Sequence, residues 1–255
     1  MRIPRIYQPL PLASGRAIEL DAQATAHLTR VLRLKPGDEL VLFNGEGGEY
    51  AAHIEALEKR ATVVRVGEFI DRELESPLEL VLAQGVSRGE RMDYTVQKAV
   101  ELGVSRIVPV ITERTVVNLK DERRERRQEH WQAVAVGACE QSGRNRAPAV
   151  EPVVALDRWL AAASPAGLKL VLHHRAGKGL AGQARPAGPV TLLIGPEGGL
   201  SPAEIDAACA AGFQPLCLGP RVMRTETAAV AALAVLQWLW GDFGSDGDGS
   251  DGGGA

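Results

Sequence analysis

The sequence predicts an α/β fold, with a mainly parallel sheet covered by helices on both faces and a small β-rich domain ahead of it. Two observations lead there. From residue 78 onward, apolar runs alternate with stretches of helical period, the pattern of parallel strands joined by helices. Before residue 71 the runs are short, rich in β-branched residues and separated by Gly-rich turns. At 255 residues the chain is long enough for one large or two modest cores.

In chain order, "DAQATAHLTRVLRL" (21–34) reads as a helix capped by Asp21, with Ala24, Leu28, Val31 and Leu32 as its apolar stripe. "ELVLFNGEGGEYAAHIEAL" holds two strands around a turn, and "ATVVRVGEFI" a third. Gly45, Gly47 and Gly48 suit a hairpin better than a phosphate loop, because no helix follows them. The rhythm changes in "DRELESP" (71–77), which divides a first domain at 1–73 from a second at 74–242. The second domain opens with the strand "LELVLAQGV", the helix "ERMDYTVQKAVELG" and the strand "SRIVPVIT". A charged helix from about Asp121 to Gln141 follows, then the strands "LKLVLHH" and "PVTLLIG", the helix "PAEIDAACAAG", the strand "QPLCLG" and a last helix "ETAAVAALAVLQWLW". Residues 243–255 form a Gly/Ser/Asp tail without apolar periodicity, expected to be disordered.

A hydrophobic fraction of 45% and a charged fraction of 24% are ordinary for a soluble protein. No apolar run is long enough to span a membrane, and the prolines of "MRIPRIYQPLPLASG" break up any signal-peptide core, so a cytoplasmic location is expected. The net charge of −3 owes four aspartates to the last fourteen residues, and the remainder stands at +1. Composition therefore neither demands nor excludes a nucleic-acid partner. Cys139, Cys209 and Cys217 lack disulfide or zinc spacing and read as small buried hydrophobes, and the five histidines suggest no metal site.

Three corners concentrate chemistry. "IGPEGGLSPAE" places glycines between a buried strand and a helix capped by Ser201, with Pro202 at its first position and Glu204 completing a capping box. The carboxyl end of a parallel strand is where open α/β sheets hold ligands, although glycines also serve a plain tight turn. "CLGPRVMRTETAA" follows the next strand. There Thr225 caps a helix and Glu226 complements its positive end, while Arg221 and Arg224 are either solvated or available to an anionic group. "ACEQSGRNRAP" gathers Glu140, Gln141, Ser142, Arg144, Asn145 and Arg146 at the end of a charged helix, more polar residues than a C-cap needs.

The segments "QKAVELGVSRIVPV", "EQSGR", "IGPEGGLSPAEI" and "LGPRVMRTETAA" together resemble the bacterial small-subunit (16S) ribosomal RNA uridine-N3-methyltransferases of the SPOUT superfamily. "RIPRIY", "HLTRVLRLKPGD" and "LFNGEGGEY" look like that family's PUA-like RNA-binding β-barrel domain, and the resemblance runs in order to about Asp242. It implies a SPOUT-type parallel-sheet domain with a C-terminal trefoil knot, S-adenosylmethionine as methyl donor, 16S rRNA of the small subunit as partner, and a homodimer.

By the same resemblance, the donor pocket lies at two corners. The first holds Ile194, Gly195, Pro196, Glu197, Gly198 and Gly199; the second holds Leu216, Leu218, Gly219, Arg221, Met223, Arg224, Thr225 and Thr227. Leu172 adds to the apolar walls, and His173 with His174 stands where the family pattern has an acidic or proline-containing corner. Loss of the N3 proton and stabilisation of the resulting anion call for a carboxylate and a guanidinium. Glu140 and Glu226 are the candidates for the first role, and Arg144 and Arg224 for the second. Arg2, Arg5, Arg30, Arg33 and Lys35 are the candidates for gripping RNA phosphates. The alternatives are a superfamily enzyme acting on tRNA or ribose, and an assembly factor without catalysis.

Overall fold

The computed structural model describes residues 3–57, 61–116, 121–162, 166–176, 179–180 and 183–244. It divides into two units, Met1–Glu75 with His130–Pro148, and Ser76–Glu129 with Ala149–Ala255.

In the first unit, alternation of apolar and polar residues builds β1 (Arg5–Tyr7), β2 (Ala17–Glu19), β3 (Glu39–Phe43), β4 (Glu49–Leu57) and β5 (Thr62–Ile70), with helix α1 (Ala22–Ala26) between β2 and β3. They form a mixed sheet in the order β1-β3-β4-β5-β2, with β1 parallel to β3 and the other pairs antiparallel. Leu28, Leu40, Leu42, Ile54, Val64 and Val66 point into one core. The expected turn at 44–48 joins β3 to β4.

The helix expected over 21–34 is cut short. Asp21 does cap it, its carboxylate accepting from Ala24 N at 2.8 Å. The α-helix nevertheless ends at Ala26 and continues as one π-turn, His27–Val31. Thr29 Oγ1 donates to Thr25 O at 2.7 Å, and Leu32 N reaches back five residues to His27 O at 3.0 Å. The wider turn carries Val31 and Leu32 off the apolar stripe, leaving them 66% and 37% exposed.

Residues 130–148 complete this unit. Trp131 and Cys139 are fully buried. Burial, the largest influence, pushes the Cys139 thiol up to about 12, so it stays protonated. Burial holds for that cysteine alone: Cys209 is exposed and Cys217 half-buried, against the expectation for all three.

In the second unit, β6 (Leu80–Gly85), β7 (Arg106–Ile111), β8 (Ala149–Val150), β9 (Val154–Ala155), β10 (Leu168–Leu172), β11 (Val190–Ile194) and β12 (Gln214–Leu216) make an all-parallel sheet, ordered β12-β10-β11-β6-β7-β8 with β9 also on β7. Every residue of β6 is buried, as its apolar run over residues 80–83 requires of a central parallel strand, with Gln84 buried beyond it. The helices are α2 (Glu90–Glu101), α3 (Asp121–Ser142, whose second half belongs to the first unit), α4 (Leu156–Ala162), α5 (Pro202–Ala210) and α6 (Thr225–Trp240). No helix among the described residues is long and apolar enough to cross a membrane.

From edge strand β12 the chain returns to the centre of the sheet to begin α6, the kind of path the expected knot would take. Gln237, fully buried on α6, accepts from Ser76 Oγ at 2.8 Å and donates to Leu102 O at 2.8 Å, which pins the helix beside α2. At its other end, Gly85 of β6 lies so close to the Gly195–Pro196 peptide that a Cβ there would overlap the Pro196 nitrogen. Glycine is therefore required at 85 by packing.

Candidate active site

The carboxyl ends of β10, β11 and β12 open into a cavity of about 530 Å³. Its walls come from three consecutive strand ends: Leu172–His174, Ile194–Gly199 and the run Leu216–Gly219, continued by residues 221–226 and Ala228. Ile194 and Leu216 are buried, and they supply an apolar floor. The rim is polar, with Glu197, Arg221 and Arg224 reaching it.

The glycine corner is held by close packing and by charge. A Cβ on Gly195 would stand 2.8 Å from the backbone of Gly199 and Leu200, so the corner folds back on itself without room for a side chain. Of its three glycines only Gly199 has a positive φ, +68°. The following helix starts with the expected capping box: Ser201 Oγ accepts from Glu204 N at 3.3 Å, and Glu204 Oε2 accepts from Ser201 N at 2.8 Å. The other oxygen of Glu204 accepts from Glu113 N at 2.7 Å, tying α5 to the loop after β7.

Glu197 accepts from Arg88 N and from Arg91 Nη1, both at 2.9 Å, and Arg114 Nη1 donates to Gly198 O at 3.0 Å. Burial works to raise the Glu197 carboxyl, but hydrogen bonds from Arg88, its own backbone and Arg91 outweigh it, and the net shift is downward. A lowered carboxyl stabilises the fold above its ordinary range, and that contribution disappears as pH falls through the lowered value.

At the second corner, Thr225 is not the cap. It is the first residue of α6, preceded by Arg224 in extended conformation. Its buried hydroxyl donates to Gly195 O at 2.7 Å and accepts from Gln84 Nε2 at 2.9 Å, which occupies it more fully than capping would. Glu226 faces the cavity. Arg91 Nε stands 4.0 Å from its Oε1, while Oε2 is buried with no hydrogen-bond partner among the described residues. A buried carboxylate oxygen without a donor suits a ligand that brings one.

The expected site residues are thus dispersed. Leu172, His173, Ile194, Gly195, Pro196, Glu197, Gly198, Gly199, Leu216, Leu218, Gly219, Arg221, Met223, Arg224, Thr225 and Glu226 all line the cavity, as does His174. Thr227 does not, because it faces solvent one position along α6. Glu140 and Arg144 belong to the first unit, not to the wall of this cavity.

Arg144 is only 4% exposed. Its Nε donates to both oxygens of Glu75, at 3.0 and 3.1 Å, leaving it poorly placed to steady charge on a substrate. Glu140 Oε1 accepts from Tyr7 N at 3.0 Å, and burial is the main reason its carboxyl is raised. Arg5, expected in a phosphate-gripping patch, is 8% exposed; it pairs with Glu49 and donates to Asn145 Oδ1 at 2.5 Å. Its guanidinium is thus enclosed by partners within the first unit. Arg30, Arg33 and Lys35 are exposed, and Arg2 lies outside the described residues.

Sequence reasoning missed Gln84, Arg88 and Arg91. Arg91 reads as one polar residue of an amphipathic helix, and nothing local signals a partner 106 residues away.

Residues 74–237 match the model of an RNA methyltransferase domain, and residues 20–66 that of an RNA methyltransferase PUA domain. The chain is 32% identical over 242 residues to the ribosomal RNA small subunit methyltransferase E of Buchnera aphidicola subsp. Acyrthosiphon pisum, covering 95% of this chain and 96% of that protein. Against the protein of that name from Bacillus subtilis, identity is 29% over 220 residues, 83% of this chain and 86% of the other. A crystal structure of a ribosomal RNA small subunit methyltransferase E from Neisseria gonorrhoeae, bound to S-adenosyl methionine, superposes with a TM-score of 0.89 at 40% identity, covering 95% of this chain and all of that one, 100%. A Legionella pneumophila structure with SAM bound gives 0.91 at 44% identity, with coverage of 95% and 100%.

If the Arg91–Glu197 pair holds the glycine corner, Arg91→Ala lowers affinity for the cavity's ligand by about fivefold with little change in Tm, as loss of a partly exposed pair implies. Glu197→Gln flattens the fall in stability between about pH 5 and pH 3, around the usual glutamate range. Calorimetric titration and thermal melts across pH check both, and an unchanged affinity for Arg91→Ala contradicts the clasp.

Proposed function

The chain belongs to the RNA methyltransferase family, whose catalytic-domain model spans its residues 74–237, and from that premise we propose that it transfers a methyl group from S-adenosylmethionine to N3 of a uridine in 16S rRNA of the small ribosomal subunit. The relatives named above carry the rRNA assignment. The observation in this chain that supports it best is the glycine-cornered cavity with the unpartnered oxygen of Glu226 in its wall.

The cavity fits the donor on its own features. Gly195 leaves main chain as one wall, Leu172, Ile194, Leu216, Leu218 and Met223 offer apolar surface to an adenine ring, and the rim arginines Arg221 and Arg224 suit a carboxylate. When bound, S-adenosylmethionine supplies an electrophilic methyl group. The protein's part is to orient the uracil and manage its proton. Glu226 takes the N3 proton, since its Oε2 is free to accept, whereas Glu140 is already engaged by the Tyr7 amide. Arg224 and the positive end of α6 stabilise the negative charge that develops on the base. Arg30, Arg33 and Lys35 of the first unit grip RNA phosphates.

Such an enzyme works in the cytoplasm, where small subunits are made. It acts as a homodimer through the outer face of α6, where Val235, Trp238 and Leu239 are 37%, 66% and 41% exposed. Sedimentation checks this: Trp238→Glu runs as a monomer while wild type runs as a dimer, and an unaltered dimer contradicts the assignment.

The function is tested by transfer of labelled methyl to small subunits prepared without this activity, followed by nucleoside analysis. Label is expected in 3-methyluridine; label elsewhere moves the target, and none with donor and RNA bound leaves an assembly factor. Glu226→Gln lowers the rate by about 10²- to 10⁴-fold with donor affinity within about threefold, the range for a lost general base. Glu140→Gln leaves the rate within about threefold. If Glu226→Gln instead loses donor affinity at an unchanged rate, Glu226 is a donor contact and not the base.

A further inference from the structure

The π-turn in the first unit does something that a plain helix would not. Between His27 and Lys35 the sequence HLTRVLRLK carries Arg30, Arg33 and Lys35 and no acidic residue. All three cations are exposed, and between them stand Val31 and Leu32, 66% and 37% exposed. Among the large hydrophobics described, only Val222 of the cavity rim, at 77%, is more exposed than Val31, which Trp238 equals at 66%.

The turn is also held in an unfavourable backbone state. Arg33 has φ +55°, the one non-glycine residue with positive φ among those described. That region costs a side chain about 1–2 kcal/mol. It is maintained by a hydrogen bond from Leu34 N to Leu28 O at 3.0 Å, with Leu28 fully buried in the core. Lys35 N donates to the Asp38 carboxylate at 2.7 Å and closes the far side. A fold that keeps such a turn fixes the two apolar side chains at its tip, between cations.

We infer that Arg30–Arg33 is a wedge for ribosomal RNA: Val31 and Leu32 insert against an opened base step while Arg30 and Arg33 hold the phosphates on either side. Short aliphatic side chains perform this unstacking in nucleic-acid complexes, and flanking cations match the charge of a backbone. The same charge pattern opposes association with a second copy, which would bring six like charges together. This rests on the proposed action on rRNA and adds that the first unit deforms its substrate rather than only attracting it.

The test uses the full chain, unmethylated 16S rRNA, and filter binding across a salt series, with methyl transfer measured in parallel. Val31→Ser with Leu32→Ser is expected to weaken rRNA binding about tenfold with an unchanged dependence on salt. Arg30→Ala with Arg33→Gly, which also relieves the backbone, is expected to make the log–log salt slope shallower by about 2, roughly one per phosphate released. Calorimetric donor affinity, unchanged in both, shows that the variants are folded. If the serine variant binds rRNA as wild type does while wild type transfers methyl, the wedge is overturned and the enzymatic reading stands. A changed sedimentation coefficient with unchanged rRNA binding makes the tip a protein contact and equally overturns it. Failure of wild type to bind or methylate rRNA overturns both.

Discussion

The hydroxyl of Thr225 is the point on which the second unit's site depends. It is 7% exposed, gives its proton to Gly195 O and receives one from Gln84, and thereby joins the start of α6, the glycine corner and the end of β6. Those three segments come from residues 84, 195 and 225, far apart in the chain. One small side chain satisfies donors and acceptors that the crossing of these segments would otherwise bury unpaired. The close approach of Gly85 to Pro196 beside it allows no thicker joint.

From that joint the site's properties follow in order. Because α6 must begin at the centre of the sheet, its positive end and Glu226 are brought to the cavity wall. Because the glycine corner is drawn toward Thr225, Glu197 at the cavity rim is brought to Arg91. The cavity thus contains one carboxylate that is neutralised and one with an oxygen to spare. On the proposed reading, this difference of environment, not of residue type, is what assigns Glu197 a structural role and Glu226 a chemical one. In the first unit, Arg5, Glu49, Arg144 and Glu75 are enclosed in ion pairs, whereas Arg30, Arg33 and Lys35, on and just after the π-turn, are among the cations left in solvent.

Much of this was legible in the sequence where the cause is local. The capping box at Ser201 and Glu204, the hairpin at 44–48 and the strand–helix alternation after residue 78 depend on neighbours in the chain, and the structure has them. The glycine corners do line the cavity, but the glycines by themselves fit a plain tight turn equally well, and it is the family resemblance that points to a pocket there. What was not legible depends on partners distant in sequence. Arg5 and Arg144 look like surface cations until Glu49 and Glu75 enclose them. Thr225 looks like a cap until Gln84 and Gly195 claim its hydroxyl. The strands β1, β2, β8 and β9, of two or three residues, are too short to show a period, and the equally short β12 is legible only within the longer run QPLCLG. At the π-turn the hydroxyl of Thr29 bonds back to Thr25 O, a contact that no apolar pattern records.

The most direct measurement is calorimetric titration of S-adenosylmethionine into Thr225→Val and Thr225→Ser proteins, with melting temperatures alongside. Valine keeps the shape and removes the hydroxyl; serine keeps the hydroxyl. If the joint sets the site, Thr225→Val stays folded with a lower Tm and loses at least about tenfold in donor affinity, the scale of buried polar groups left unpaired, while Thr225→Ser stays near wild type. Wild-type donor affinity in Thr225→Val would contradict the account, for the cavity would then be assembled without the hydroxyl that is said to assemble it.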